Sequence, residues 1–255
     1  MTKFIKTIYY KVYVPIYCPV KQSNAVSAPA NRSLELNTQT ISEKLYYILR
    51  ENIISGDFKD GEPIRQDILA SEFGTSKIPL REALARLEKD GLVVSQANRG
   101  FSVIAVSTRD ADEIFRLRLQ LEPEAVLDGS RQATKQDHAL ARAILTNLKR
   151  EQRKGSVKTG TLNREFHMAL IRPGVGDITY SIIEKISILT ERYVRFHLLY
   201  QDRHERANLQ HEQILESWIQ KDYEPLKKLC IDHITQTVEE LREDIGNKNA
   251  PSILK

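Results

Sequence analysis

The sequence predicts a mainly α-helical chain with one small β element near its first third. Three observations carry that expectation. Apolar residues repeat at helical spacing over most of residues 41–91 and again from 108 to 245. Two short β-rich runs, LVVSQ and GFSVIAV, flank the turn residues Ala97-Asn98-Arg99-Gly100. Strand signals then vanish, and glycines and a Pro-Gly pair punctuate long helical patterns. The 255 residues suit roughly two domains. No run approaches the ~20 apolar residues of a membrane-spanning helix.

The organising stretch is Gly74–Gly91, GTSKIPLREALARLEKDG. Gly74 suits the left-handed conformation that ends a preceding helix. Ser76 is a good N-cap, its side-chain oxygen able to satisfy an orphan backbone N–H. Pro79 falls in the first turn, where a missing N–H costs little. Leu80, Leu84 and Leu87 form one apolar face, and Gly91 stops the helix. Lys77 and Arg81, one turn apart, open the opposite face. An ordinary amphipathic surface helix has the same pattern, so the flanks decide.

Upstream, Thr40-Ile41-Ser42-Glu43 reads as a capping box opening a helix with Ile41, Leu45, Ile48, Leu49 and Ile53 inward. Gly56 ends it and Asp60-Gly61 makes a turn. A short helix follows at about Gln66–Phe73, then the Gly74–Gly91 helix, then the hairpin. Helix, short helix, helix, hairpin is the order of a winged helix-turn-helix, in which the third helix reads a DNA groove. Arg99 and Gly100 sit at the tip of the wing, placed for a phosphate or minor-groove contact. Downstream, six helices are expected at about 108–132, 134–154, 158–171, 177–200, 204–220 and 223–245, an all-α bundle. The chain therefore divides into a tail (1–36), a winged unit (37–106), a helical domain (107–246) and a short C-terminal tail (247–255). The N-terminal tail, rich in Tyr and Val and then linker-like, is expected to be disordered or a loosely docked strand; a misplaced start is the alternative. Lys11 and Pro15 interrupt any secretory apolar core. Cys18 and Cys230 form no motif, consistent with a reducing compartment.

Net charge is +4, and its location is informative. Residues 1–36 hold five Lys/Arg against one acidic residue, whereas residues 37–106 hold nine against ten. The winged unit has no bulk positive charge, so a nucleic-acid role requires its cations to cluster on one face.

These strings resemble the GntR family of bacterial transcription regulators. GDFKDGEPI, LASEFGTSKIPLREALARLEKDGLV and NRGFSV are similar to its first domain. FRLRLQLE, LNREFHMAL and HEQILESWIQKDYEPLKKLCIDHI resemble the FadR-like branch with its helical FCD ligand domain. Lys77 and Ile78 stand where Arg-Thr is common, and Leu80 replaces Val. Lys keeps the charge but lacks the bidentate fork of Arg, so operator preference is expected to differ. Asp67 and Gln66 are placed to tune it.

The resemblance implies a cytoplasmic bacterial homodimer, nucleoid-associated when bound, that meets a near-palindromic double-stranded operator through Arg65, Gln66, Ser76, Lys77, Pro79, Arg81, Arg99 and Gly100. It is expected to be a repressor released from or retained on DNA by a small organic or sugar acid. Asn163 and His167 share a helix face, and with His211 and His233 they occupy the positions where the family binds a divalent metal such as zinc or nickel. Asn163 replaces the family Asp, and a neutral amide attracts a dication less. Without a metal, the same polar cluster would meet the effector directly. Arg118 and Glu122, one turn apart, read from spacing alone as an exposed ion pair worth about 0.3–0.5 kcal/mol. The resemblance instead points Arg118 into the cavity toward an effector carboxylate. Arg195, Tyr200 and Asn208 complete the effector candidates, Asn208 in the same pocket as His211; Trp218 reads as core. Two rivals stand beside this reading: a metal-dependent hydrolase built on the bundle, and a sequence-indifferent architectural DNA-binding protein.

Overall fold

The structure is a computed structural model of the chain. It describes residues 40–97, 99–156, 158–197 and 201–246, without the side chains of 195–197, 201–202 and 244–246. Both expected tails, Cys18 and Tyr200 lie outside the described residues, as does the side chain of Arg195.

Helix α1 (Ile41–Ser55) opens on the Thr40 capping box with both halves made: Glu43 N–H donates to Thr40 Oγ1 at 3.2 Å and Thr40 N–H to Glu43 Oε2 at 3.0 Å. It closes on Gly56, at φ 81°. Helices α2 (Gln66–Glu72) and α3 (Lys77–Lys89) follow. Ser76 occupies the N-cap of α3, but contrary to expectation its side chain makes no capping bond. The N3 residue, one of the two usual targets of such a bond, is Pro79, which has no N–H to offer.

Strands β2 (Val93–Gln96) and β3 (Gly100–Val103) form the wing, with Gln96 opposite Gly100 and Val93 opposite Val103. A two-residue strand, β1 (Pro63–Ile64), adds to the far side of β3 in the order β1-β3-β2. Pro63 is tolerated there because an edge strand can forgo a donor. Leu45, Leu49, Ile53, Leu80, Leu84, Leu87 and Val93 pack beneath this sheet as one core.

The remaining helices are α4 (Thr108–Gln132), α5 (Lys135–Arg153), α6 (Thr159–Ile171), α7 (Asp177–His197), α8 (Gln201–Gln220) and α9 (Tyr223–Gly246). They form the bundle close to the expected boundaries. Trp218 is fully buried, its Nε1 donating to the Leu170 carbonyl at 3.1 Å. Here α4 touches the end of α6 and the following turn backbone to backbone. A Cβ on Gly129 would overlap the Leu170 carbonyl, and one on Gly174 would overlap the backbone of Asp128 and Gly129. We therefore expect Gly129→Ala to destabilise the bundle by about 1–3 kcal/mol through overpacking, read as a lower urea midpoint; an unchanged midpoint would refute this close approach.

The winged unit and bundle meet along α7. Ile188 joins the winged core, Arg192 Nη2 donates to Asp60 Oδ1 at 2.6 Å, and the linker amides of Val106 and Ser107 donate to Asp60 Oδ2 and the Tyr193 hydroxyl. No helix among the described residues is long and apolar enough to cross a membrane.

Candidate functional site

Helices α2 and α3 and the wing enclose an open groove. Arg65, Gln66, Lys77, Arg81, Arg99 and Gly100 line it, and Asp67 is the one acidic residue among its described lining. A unit with nine cations and ten acids thus gathers four of its cations on one concave face. Arg81 Nε donates to Gln66 Oε1 at 3.2 Å, and Lys77 pairs with Asp67. Gly100, at φ 79°, suits the wing turn and its approach to Gln66: an added Cβ would lie 3.2 Å from Gln66 Nε2. Ser76 and Pro79 do not line the groove; they shape the start of α3. The sequence-derived set of candidates omitted Ile78. It is 70 % exposed on the first turn of α3, an apolar side chain suited to a thymine methyl.

In the bundle, His167 on α6, His211 on α8 and His233 on α9 are all buried, and their candidate ligand nitrogens lie within 4.8 Å of one another. His211 Nε2 and His233 Nε2 are 3.3 Å apart. Two nitrogens bound to one tetrahedral zinc at about 2.0–2.1 Å lie about 3.3 Å apart, so this spacing fits a metal. His233 Nδ1 faces Gln210 Oε1 at 2.9 Å; donation there leaves the Nε2 lone pair directed at the cluster. His167 Nε2 is buried without a hydrogen-bond partner. Desolvation, with lesser effects of His211 and Arg118, holds His167 well below the usual imidazole range. A neutral ring is the ligating form. The donor set therefore fits a borderline divalent ion.

Asn163 and His167 share a small cavity with Arg118, Arg164 and Glu191. Its volume is about 10 Å³, room for about one water. The spacing-only picture of an exposed Arg118–Glu122 pair requires correction. Both side chains are buried, and Arg118 grips Glu122 through Nε and Nη2 at 2.6 and 2.9 Å. Asn208 is also placed differently from expectation. It lines a separate cleft between α5 and α8, where its Nδ2 donates to Gln152 Oε1 at 2.7 Å. Arg164, Glu191 and Gln210 are absent from the sequence-derived set; only Arg164 had a nearby cue, adjacent to Asn163 in LNREF.

Comparison with known proteins places these features in context. Residues 41–103 match the model for bacterial regulatory proteins of the gntR family, and residues 113–236 match the FCD domain. The chain is 29% identical over 201 residues to the uncharacterized HTH-type transcriptional regulator YdhC of Bacillus subtilis (strain 168), covering 78% of this chain and 90% of the relative. It is 21% identical over 207 residues to the HTH-type transcriptional repressor RspR of Escherichia coli (strain K12), covering 81% and 91%. The solved structure of E. coli McbR/YncC shares the fold, with a TM-score of 0.69 at 24% identity, covering 81% of this chain and 99% of the other.

Proposed function

Because the chain belongs to the GntR family of transcriptional regulators and carries an FCD domain, we propose that it is a repressor acting as a homodimer on a near-palindromic operator and switched by a small carboxylate. The repressor sign draws on the name of the similar E. coli protein RspR. The observation that carries the DNA reading is the groove where Arg65, Lys77, Arg81 and Arg99 converge on a unit of nearly balanced charge. Arg81 and Gln66 read base edges; Lys77 and Arg99 hold phosphates or the neighbouring groove. Ile78 adds an apolar contact. The salt dependence of binding, compared between operator and random DNA, separates this reading from an architectural one. A specific site with few phosphate contacts gives a large affinity ratio. A ratio near one would overturn the proposal. The relatives named above are transcriptional regulators, and the hydrolase alternative has no support among them.

In the bundle, His167, His211 and His233 would hold a divalent ion such as zinc or nickel, with Asn163 beside them. When bound, that ion supplies a positive charge to anchor an acid. Arg118 and Arg164 supply the protein's own cations at the same cavity. The effector must bind the two arrangements of the regulator unequally, or nothing switches.

Zinc added to chelator-treated protein is expected to raise its melting temperature, by about 2.7 kcal/mol of stabilisation at a hundredfold excess over Kd. His233→Ala abolishes the rise. Equal zinc responses in both proteins would remove the histidines from the site. Asn163→Asp is expected to tighten zinc binding. A carboxylate about 4 Å from a unit charge gains about 1 kcal/mol in water and about 4 kcal/mol at a protein surface. Competition with a chromogenic chelator measures it; a weaker Asp variant would place Asn163 outside the coordination sphere.

A further inference from the structure

Arg50 lies in α1, within the winged unit, yet it is buried. Its Nη2 donates to Glu191 Oε2 on α7 at 2.5 Å, and its Nη1 reaches Glu51 Oε1 and Thr161 Oγ1 at 3.2 Å. The other oxygen of Glu191 accepts from Arg164 Nε of α6 at 2.6 Å. One carboxylate, 3 % exposed, is thus shared by an arginine from each unit. Arg164 also faces Glu184 at 3.5 Å.

Glu191 and Arg164 are at the same time walls of the cavity that holds Asn163, His167 and Arg118. That cavity has room for about one water. An organic acid must therefore displace a side chain to enter. Arg118 is already paired by a bidentate carboxylate within its own helix. Arg164 is held by a carboxylate from another helix, which can move away.

Building on the carboxylate-effector reading above, we propose that Glu191 is an internal stand-in for the effector's carboxylate. The incoming acid takes Arg164 in exchange for Glu191, and the exchange loosens the tie between Glu191 and Arg50. On Arg164 one carboxylate replaces another, so the guanidinium stays paired, but the site gains one negative charge. Two carboxylates then repel each other in a dry site, and the exchange requires α7, which carries Glu191, to shift. Its neighbours on α7 hold the Asp60 turn and the Ser107 linker through Arg192 and Tyr193. A shift at Glu191 thus acts on three attachments of the winged unit together. The closed tie and the bound acid exclude each other, which is the unequal binding that coupling requires.

Hydrogen exchange read by mass spectrometry on the full chain tests this in two arms. Without ligand, Glu191→Gln is expected to speed exchange across α1 roughly tenfold or more, because Arg50 loses its buried partner across the units and keeps only the more exposed Glu51 of its own helix, while α5 keeps its wild-type rates. No change in α1, or an equal rise in α5, overturns the tie. In the second arm, acetate, succinate, citrate, gluconate and benzoate are screened by melting temperature. An acid that binds the wild type is expected to speed α1 exchange. It is expected to do so no longer in Arg164→Gln, which keeps Glu191 on Arg50. Slower α1 exchange on binding, or an unaltered response in Arg164→Gln, overturns the exchange. If none of the acids shifts the melting temperature, the acid-effector reading fails and the exchange fails with it. The first arm still decides by itself whether Glu191 joins the two units.

Discussion

Arg81→Ala is expected to leave the protein folded and to weaken specific operator binding by about 30-fold or more. The side chain is exposed, and among the described residues its one hydrogen bond is to Gln66. The buried face of α3, Leu80, Ala83, Leu84 and Leu87, is untouched by the change. Loss of an arginine that reads guanine costs about 1–3 kcal/mol per site. In the proposed dimer two such helices act, so the total is about 2–6 kcal/mol, or about 30-fold to more than ten-thousand-fold in affinity. Arg81→Lys keeps the charge without the fork. It is expected to retain binding to random DNA and lose most of the preference for the operator. Fluorescence anisotropy with operator and scrambled duplexes, beside circular dichroism for the fold, separates these outcomes. An unchanged footprint from the Ala variant would mean that the groove is not the reading face.

Much of this arrangement is legible in the chain because it is written in local rules. The Thr40 box, the apolar period of α3 and the breaks at Gly155 and Pro173-Gly174 each act within a turn or two. Gly155 separates α5 from α6, and Pro173-Gly174 separates α6 from α7. Strand β1 was not legible: two residues carry no period, and Pro63-Ile64 becomes a strand only by lying against Ser102 and Phe101. Asn208 shows a second limit. It stands three residues before His211, so the two differ by about 60° around the helix. On a helix packed between α5 and α9, that angle is enough to send Asn208 to Gln152 while His211 meets His233. The Glu191 tie was beyond local reading altogether, since its partners lie 141 and 27 residues away. The charge count of the winged unit misleads for the same reason. Clustering is a property of the folded surface, and only the fold brings Arg65, Lys77, Arg81 and Arg99 to one groove.

Arg118 requires a different experiment from the one its spacing suggests. As an exposed pair with Glu122 it would be safe to truncate. The side chains are instead 6% and 4% exposed and joined by two short bonds. Arg118→Ala is therefore expected to destabilise the protein by about 3–5 kcal/mol, because it leaves a carboxylate buried without its cation. Replacing both members by apolar residues of similar volume, Arg118→Met with Glu122→Leu, is expected to restore most of that loss, since a buried pair repays its own desolvation poorly. Urea midpoints at unchanged m value measure both. A single variant as stable as the wild type would show that the pair is hydrated in solution. The comparison also fixes how the effector role must be measured. Weaker acid binding by Arg118→Ala alone would mix a damaged bundle with a lost contact. In the double variant the bundle is intact, so any loss of acid binding belongs to the guanidinium, and retained binding would leave Arg164 as the cation that receives the acid.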